Sequence, residues 1–307
     1  MSTAIDVEDD FRDLSPAART EATASLLSQF ADRMLDNNKR IFDRVLDMIA
    51  ETEGDEKLHL DMLATHLAME TSEVVDVKSW NNTEITSLSD YKAWSRLGHD
   101  SGLCPWKHGS SEYITTFLGY LQKAICENAS RDLLADAAET LELPIDFCEF
   151  LKHTAGVVYP NLDRQMFVCS FGTNTYDIQG QAQPLDKICR VAGPDGFTVA
   201  AGWAAGDNDR SCWIHYLLCR RVTEPDGPWR WRIFINNIDF HDRGYYESLR
   251  DFLSWYCNAY DWVDWEAVQQ GIATLHQECK EALEEEEDEE QTSEEETEEQ
   301  TSDEESD

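Results

Sequence analysis

Two cysteines and a histidine fall within one apolar run, and thiolate with imidazole is a ligand set that zinc favours. The residues are Cys212, His215 and Cys219. The run predicts a strand, in which successive side chains point to opposite faces, so Cys212 and His215 diverge. His215 and Cys219 share a face, but they lie about 13 Å apart at the strand rise. We therefore predict buried or half-buried thiols here, with no metal and no cofactor.

Two further thiol–imidazole pairs could serve as metal ligands or as a nucleophile with its base. Cys104 and His108 have suitable loop spacing for a metal, but no second ligand pair follows them. Cys148 and His153 lie five apart on one predicted helix, where their side chains diverge by about 140°. Neither pair predicts a site.

The segment from Asp239 to Asp242 is polar and could hold a general acid and a general base through Asp239 and His241. Such clusters are also typical of helix caps, and Asp242 suits an N-cap position. We therefore expect no enzymatic activity, and an uncharacterised enzyme is the lesser alternative.

Two tryptophans alternate with two arginines along a predicted strand from Trp229 to Asn236. The indoles then share one face and the arginines the other. Tryptophan and arginine are enriched in binding hot spots, so these residues could contact a partner. The alternative, which we favour, is that the tryptophan face packs under helices. The candidate partner surface comprises Trp229, Trp231, Arg230, Arg232, Trp262 and Trp265.

The charge balance is strongly acidic, with 62 Asp and Glu against 25 Lys and Arg and a net charge of −37. Residues 281–307 hold 17 of the acidic residues and no Lys or Arg. This field repels phosphate backbones and anionic headgroups, so we expect neither nucleic acid nor a membrane as a direct partner. A basic protein is the partner that the charge favours.

The acidic stretch also contains Ser293 and Ser302, each followed three positions later by an acidic residue. This pattern is typical of casein kinase 2 sites, and a solubilising tail with incidental matches is the alternative. The first residues lack signal-peptide features, and the nine cysteines are scattered. We therefore predict a cytoplasmic location, with the nucleus as the alternative.

Hydrophobic periodicity predicts five segments along the chain. Helical spacing extends to about Glu51, and the period changes to about two after Gly156. The turn Glu224–Gly227 between two apolar runs implies antiparallel pairing. The fold class is therefore α+β, with an antiparallel sheet of about 4–6 strands flanked by helices. The segments are a flexible acidic leader (1–14), a helical N-terminal extension (15–70), an irregular connection (71–110), an α+β domain with a closing helix (111–280) and a disordered acidic tail (281–307).

Four helices are predicted within the α+β domain in addition to the one at residues 113–128. A pair covers residues 131–141 and 144–153, with Pro144 at the first helical position and Gly156 ending the second at positive φ. The others cover residues 245–256 and 265–283.

The order of these elements resembles the SUKH superfamily, which includes the fungal cell-wall-synthesis regulator and bacterial toxin-immunity proteins. The resemblance covers residues 112–262. Glu142 departs from it where glycine is common, and Thr154-Ala155-Gly156 replaces an Asn-Gly ending. The matching residues are Ala138, Glu139, Leu143, Pro144, Phe150 and Leu151, then Ser248, Leu249, Phe252 and Leu253.

The resemblance implies an α+β interaction domain without known catalysis, and thus a regulatory protein-binding module, as in fungal cell-wall or signalling regulation. An acidic-tailed chaperone or buffer for basic proteins such as histones is the alternative. In that case the tail itself is the active part.

Overall fold

A computed structural model provides the structure of the chain, which is α+β. It describes residues 11–68, 85–95, 101–106, 111–129, 137, 141–158, 171–172, 194–207, 212–237, 244–258 and 263–303.

The chain divides into two compact units. Unit 1 contains Met1–Asn37, Asp100–Tyr159 and Phe167–Trp262. Unit 2 contains Asn38–His99, Pro160–Met166 and Val263–Asp307. The division falls within the first long helix, α1 (Pro16–Ala50).

The main sheet of unit 1 has four antiparallel strands in sequential order. The hairpin formed by its second and third strands contains the predicted turn, in which Gly227 N–H donates to Glu224 O at 2.9 Å. The sequence thus correctly predicts an antiparallel sheet and this turn. The strands are β4 (Phe197–Asp207), β5 (Cys212–Arg221), β6 (Arg230–Asn237) and β7 (Tyr245–Tyr246).

Two bulges interrupt the pairing of β4 with β5, between Val199 and Ala201 and again between Ala204 and Gly206. Val199 lies opposite Cys219, whereas Ala201 lies opposite Leu218. A bulge inserts one extra residue, so side chains of the same parity change face across it.

A second, three-stranded sheet of unit 1 is made of two-residue strands. Gly102 precedes it with φ +67°, and its carbonyl accepts from Val158 N–H at 2.8 Å. A Cβ atom on Gly102 would lie 2.9 Å from Val158 O, so this close approach requires glycine. The strands are β1 (Leu103–Cys104), β2 (Gly156–Val157) and β3 (Phe171–Gly172).

The helices of unit 1 are α4 (Ser111–Asn128), α5 (Ile145–His153) and α6 (Leu249–Asn258), together with the first part of α1. Helix α4 contacts α5 and β4, and α6 contacts β7. The core joins rings from α5, β3, the main sheet and α6. Its largest members are Phe147, Phe150, Phe171, Trp203, Tyr216, Trp231, Phe252 and Tyr256.

Unit 2 is helical in its described part: the later part of α1, then α2 (Glu56–Ala68), α3 (Leu88–Trp94) and α7 (Trp265–Asp303). Helix α7 packs on α2. Asp264 caps it, since its Oδ1 accepts from Ala267 N–H at 3.1 Å. The buried side chains of α7 are Val268, Ile272, Leu275 and Cys279.

Five predictions about where elements lie or end need correction. Pro144 is the N-cap of α5 (φ −55°, ψ 128°) and not its first helical residue. Helix α5 ends because Thr154 is extended at φ −148°, and Gly156 then begins β2. The helix predicted from Tyr245 begins at Leu249, because Ser248 Oγ accepts from Asp251 N–H at 3.2 Å.

The fourth correction concerns residues 71–110, which were predicted to be irregular. They contain α3, whose N-cap Ser87 accepts from Asp90 N–H at 3.1 Å, and the strand β1. Helix α7 also continues to Asp303, beyond Leu283 where it was predicted to end. The predicted helix 131–141 and most of the predicted strand 165–173 lie outside the described residues.

Candidate functional site

The two tryptophans of the predicted partner surface on β6 belong to the core. Trp229 is 7% exposed and Trp231 is 2% exposed. Trp231 Nε1 donates to Glu142 O at 2.8 Å, and its ring lies 5.4 Å from that of Trp203. Both indoles are therefore too buried to form a binding platform. Their burial agrees with the favoured prediction, in which the tryptophan face packs in the core. The reason is that their face of the sheet carries the aromatic core.

The two arginines of that surface line a recess of about 280 Å³ at the turn end of the β5–β6 hairpin. We call it the arginine pocket. Its lining residues include four arginines and two glutamates, on strands and connections of unit 1. Its lining is Arg220, Arg221, Glu224, Gly227, Pro228, Arg230, Arg232 and Glu247.

Arg232 is the most enclosed member of the arginine pocket, with a side chain 7% exposed. Its Nε lies 2.8 Å from Glu247 Oε2, and its Nη1 donates to Cys219 O at 2.9 Å. Burial is the largest single influence on the pKa of Arg232 and lowers it, but the contacts with Glu247 and Cys219 together outweigh burial and raise the pKa. The guanidinium is therefore a fixed positive charge in the wall.

The other positions of the pocket are also held by neighbours. Arg221 Nη2 donates to Tyr245 Oη at 2.5 Å and lies 3.8 Å from Glu247 Oε1. Arg220 lies over the Trp229 ring at 4.5 Å, a cation–π distance. Trp229 thus contributes as a support for an arginine.

Sequence reasoning identified Arg230 and Arg232 but missed Arg220 and Arg221. The position of the turn could have identified them. Because Glu224–Gly227 is predicted as the turn of the hairpin, the last residues of β5 are expected to pair with the first residues of β6. Cys219 indeed lies opposite Arg230. Pairing the two arginine-rich strand ends would have located the cluster.

The remaining predicted surface residues lie apart from the arginine pocket. Trp265 belongs to unit 2, is half-buried and has Arg44 at 6.0 Å from its ring centroid. Trp262 lies outside the described residues. The backbone of Ser293 and Ser302 lies in α7, and their side chains are not described.

Three of the six cysteines whose side chains the structure describes are buried, namely Cys219, Cys257 and Cys279. Burial raises the pKa of Cys148 to about 12 and that of Cys219 to about 11. Burial lowers the pKa of His215 to about 4, so its imidazole is neutral at pH 7. Among residues whose side chains the structure describes, no group of three His, Cys, Asp or Glu side chains could hold a metal ion. Asp239, His241, Asp242 and His108 lie outside the described residues.

A second recess of unit 1, of about 670 Å³, lies between α1 and α6. Its lining includes the buried Phe30 and Leu253 together with the exposed Arg33 and Arg250. It offers a mixed apolar and basic surface.

Asp146 connects helices α5 and α6 through its carboxylate. Oδ2 accepts from Leu249 N–H at 3.1 Å, and Oδ1 accepts from Phe147 N–H at 2.8 Å. Tyr216 Oη donates to it at 3.2 Å. Burial raises the pKa of Asp146, because its desolvation outweighs these hydrogen bonds, which favour the charged form. The Asp146 carboxyl group therefore links α5 to α6, and the strength of this link depends on whether the group is protonated.

No protein-family model, no curated protein and no solved structure matches this chain. No helix in the described part of the chain is both long and apolar enough to cross a membrane.

Proposed function

We propose that this chain is a non-enzymatic protein-interaction module that resembles SUKH proteins and acts in regulation, as the fungal cell-wall-synthesis regulator does. The proposed partner is a protein and the proposed location is the cytoplasm or the nucleus. The α+β body recognises the partner, and the acidic tail favours encounter with basic proteins by long-range attraction.

The observation that carries this proposal is the bond between Asp146 and Leu249. Asp146 lies between Pro144 and Phe150 of the first part of the resemblance, and Leu249 begins the second part. Phe171, on β3, packs between the two parts, with its ring 5.5 Å from Phe150 and 4.7 Å from Phe252. The apolar residues of the resemblance thus act together as a scaffold and leave binding to the surface.

The test is affinity purification with the full chain and with a form lacking residues 281–307. A third form, with the glutamates of 281–307 changed to Gln, keeps the length and removes most of the charge. We expect the body to retain a specific protein partner in all three forms, with weaker capture when the charge is removed. Failure of every form to recover a specific partner contradicts the proposal.

The alternative is an acidic chaperone or buffer for basic proteins, in which the tail is the binding element. It is favoured by α7, whose packed first part continues into the acidic run as one helix. This alternative predicts strongly salt-dependent binding of histones that is lost on deletion of Glu284–Asp307. A partner retained by the tail-less body at about 0.5 M salt, where the Debye length is only a few ångströms, contradicts it.

A further inference from the structure

The arginine pocket has a charge opposite to that of the chain. Its lining has four arginines and two glutamates, whereas the chain carries −37. We propose that the pocket binds a phosphate monoester dianion, presented by a phosphorylated serine or threonine of a partner protein. This site is independent of the tail, which attracts basic groups.

The charge of the lining distinguishes a phosphate from a carboxylate. With one charge for each side chain, the positive charges exceed the negative charges by two. A phosphate monoester carries about −1.5 to −2 near pH 7, whereas a carboxylate carries only one negative charge. A phosphate also offers three acceptor oxygens, and the planar fork of a guanidinium donates to two of them at once.

The geometry of the pocket lowers the entropic cost of binding. Arg232 is held by Glu247 and by Cys219 O, Arg221 by Tyr245 Oη, and Arg220 by the Trp229 ring. Long side chains that are already ordered lose less freedom when a ligand arrives. Glu247 serves as the support of Arg232, with which it makes the shorter of its two arginine contacts.

The size and surroundings of the pocket favour a single phosphate on a protein over a nucleic acid or a membrane. The recess has a volume of about 280 Å³, which suits one phosphorylated side chain. A polyanion presents many charges to the whole surface, and the net charge of −37 repels it. Repulsion between exposed charges is screened beyond about 8 Å at physiological salt, so one phosphate can still be attracted at short range.

The experiment measures binding to the full chain by calorimetry. The probes are a short phosphoserine peptide, the same peptide with serine, the same peptide with glutamate, and inorganic phosphate. The variants are Arg221→Gln and Arg230→Gln, which leave the buried Arg232 in place. Arg250→Gln, which removes an exposed arginine on α6 outside the pocket, is the matched control.

We expect the phosphoserine peptide to bind more tightly than the serine and glutamate peptides. Each pocket variant should weaken it by about tenfold or more, the worth of one charge-assisted hydrogen bond, and Arg250→Gln should not. Inorganic phosphate that competes with the peptide supports the same chemistry. If inorganic phosphate binds as tightly as the peptide, the ligand of the pocket is the free anion. The proposal that a partner protein presents the phosphate is then wrong.

Three results overturn the site: no binding of any phosphate probe, equal binding of the glutamate peptide, or equal weakening by Arg250→Gln. Thermal unfolding of each variant verifies that it is folded. If a Gln variant unfolds, Arg221→Lys replaces it. This change keeps the charge but removes the fork, so it should still weaken the phosphoserine peptide. Unchanged binding by a folded Arg221→Lys protein counts against fork recognition.

Discussion

Asp146 Oδ2 accepts a hydrogen bond from Leu249 N–H at 3.1 Å, across 103 positions of the chain. The same carboxylate accepts from Phe147 N–H at the start of α5. One side chain therefore satisfies backbone donors in the first turns of two helices, which have no partner within their own helix. The relationship fixes where α6 begins relative to α5 within unit 1.

Replacement of Asp146 by Ala should lower the free energy of unfolding by about 2–4 kcal/mol, because Leu249 N–H and Tyr216 Oη lose their acceptor inside the protein. Urea unfolding measures the change. The control is Glu142→Ala, since the Glu142 side chain is exposed and its carbonyl, which binds Trp231, is kept. We expect at most about 0.5 kcal/mol there. Equal losses at both positions contradict the bridging role.

The raised pKa of Asp146 predicts how this residue changes stability with pH. In the unfolded chain the carboxyl titrates near the model value of 3.8, and in the folded chain it titrates higher. Between these values the folded state binds the extra proton, so the stability that this group confers falls as pH rises. The unfolding free energy of the wild type minus that of Asp146→Asn should therefore decrease from pH 3.8 upward. Urea midpoints at several pH values measure it, and parallel curves contradict the prediction.

Truncation of Trp231 should act on stability and not specifically on binding. Trp231→Ala should cost about 3–5 kcal/mol, since it leaves a large cavity beside Trp203 and Tyr216. Trp231→Phe should cost less, because it loses the bond to Glu142 O but fills most of the space. Denaturant unfolding distinguishes the two. A Trp231→Ala protein with wild-type stability and lost partner binding would restore the platform hypothesis.

Two glycines of unit 1 should respond to alanine in opposite directions. Gly102→Ala should destabilise by about 1–3 kcal/mol, because φ is +67° and the new Cβ would meet Val158 O at 2.9 Å. Gly119→Ala, in the exposed face of α4 with nothing within 4 Å, should stabilise by about 0.5–1 kcal/mol. Thermal unfolding measures both. The same sign at both positions contradicts the assigned backbone geometry.

The helix content of the acidic end of α7 should rise when its carboxylates are protonated. Pairs such as Glu281 and Glu285 repel at i,i+4 spacing, at about 0.2–0.5 kcal/mol for each pair. Far-UV circular dichroism of the full chain minus that of a form ending at residue 280 isolates this segment. The difference should show more helix at pH 4 than at pH 7, and added salt should act in the same direction. An unchanged difference contradicts the repulsion argument.

Local signals predicted much of the fold, because they depend on short stretches of sequence. The turn at Glu224–Gly227 and the helices α1 and α4 follow from turn chemistry and periodicity. The strand β7 was missed because Tyr245 and Tyr246 continue the helical spacing of α6, and the pair Ser248 and Asp251 that caps this helix was overlooked.

The arginine pocket was less predictable, because it depends on tertiary neighbours. Glu247 binds Arg232 across 15 positions, and no local pattern pairs them. Burial of Trp229 and Trp231 was the favoured prediction, but the strand pattern by itself did not decide it, since both a core and a platform place two indoles on one face of a strand.

Because of the bulge after Val199, the odd-numbered residues of β4 before the bulge lie on one face of the sheet, and the odd-numbered residues that directly follow it lie on the opposite face. Phe197 and Val199 pack beside Leu217 and Cys219, whereas Trp203 stacks on Tyr216 on the opposite face. Deletion of Ala200 would remove this extra residue and leave a regular ladder, because Val199 opposite Cys219 and Ala201 opposite Leu218 would then be consecutive. Every side chain would keep its present face, so the arginine-pocket face and the aromatic face would both keep their side chains, and only the local bend and twist of β4 would change.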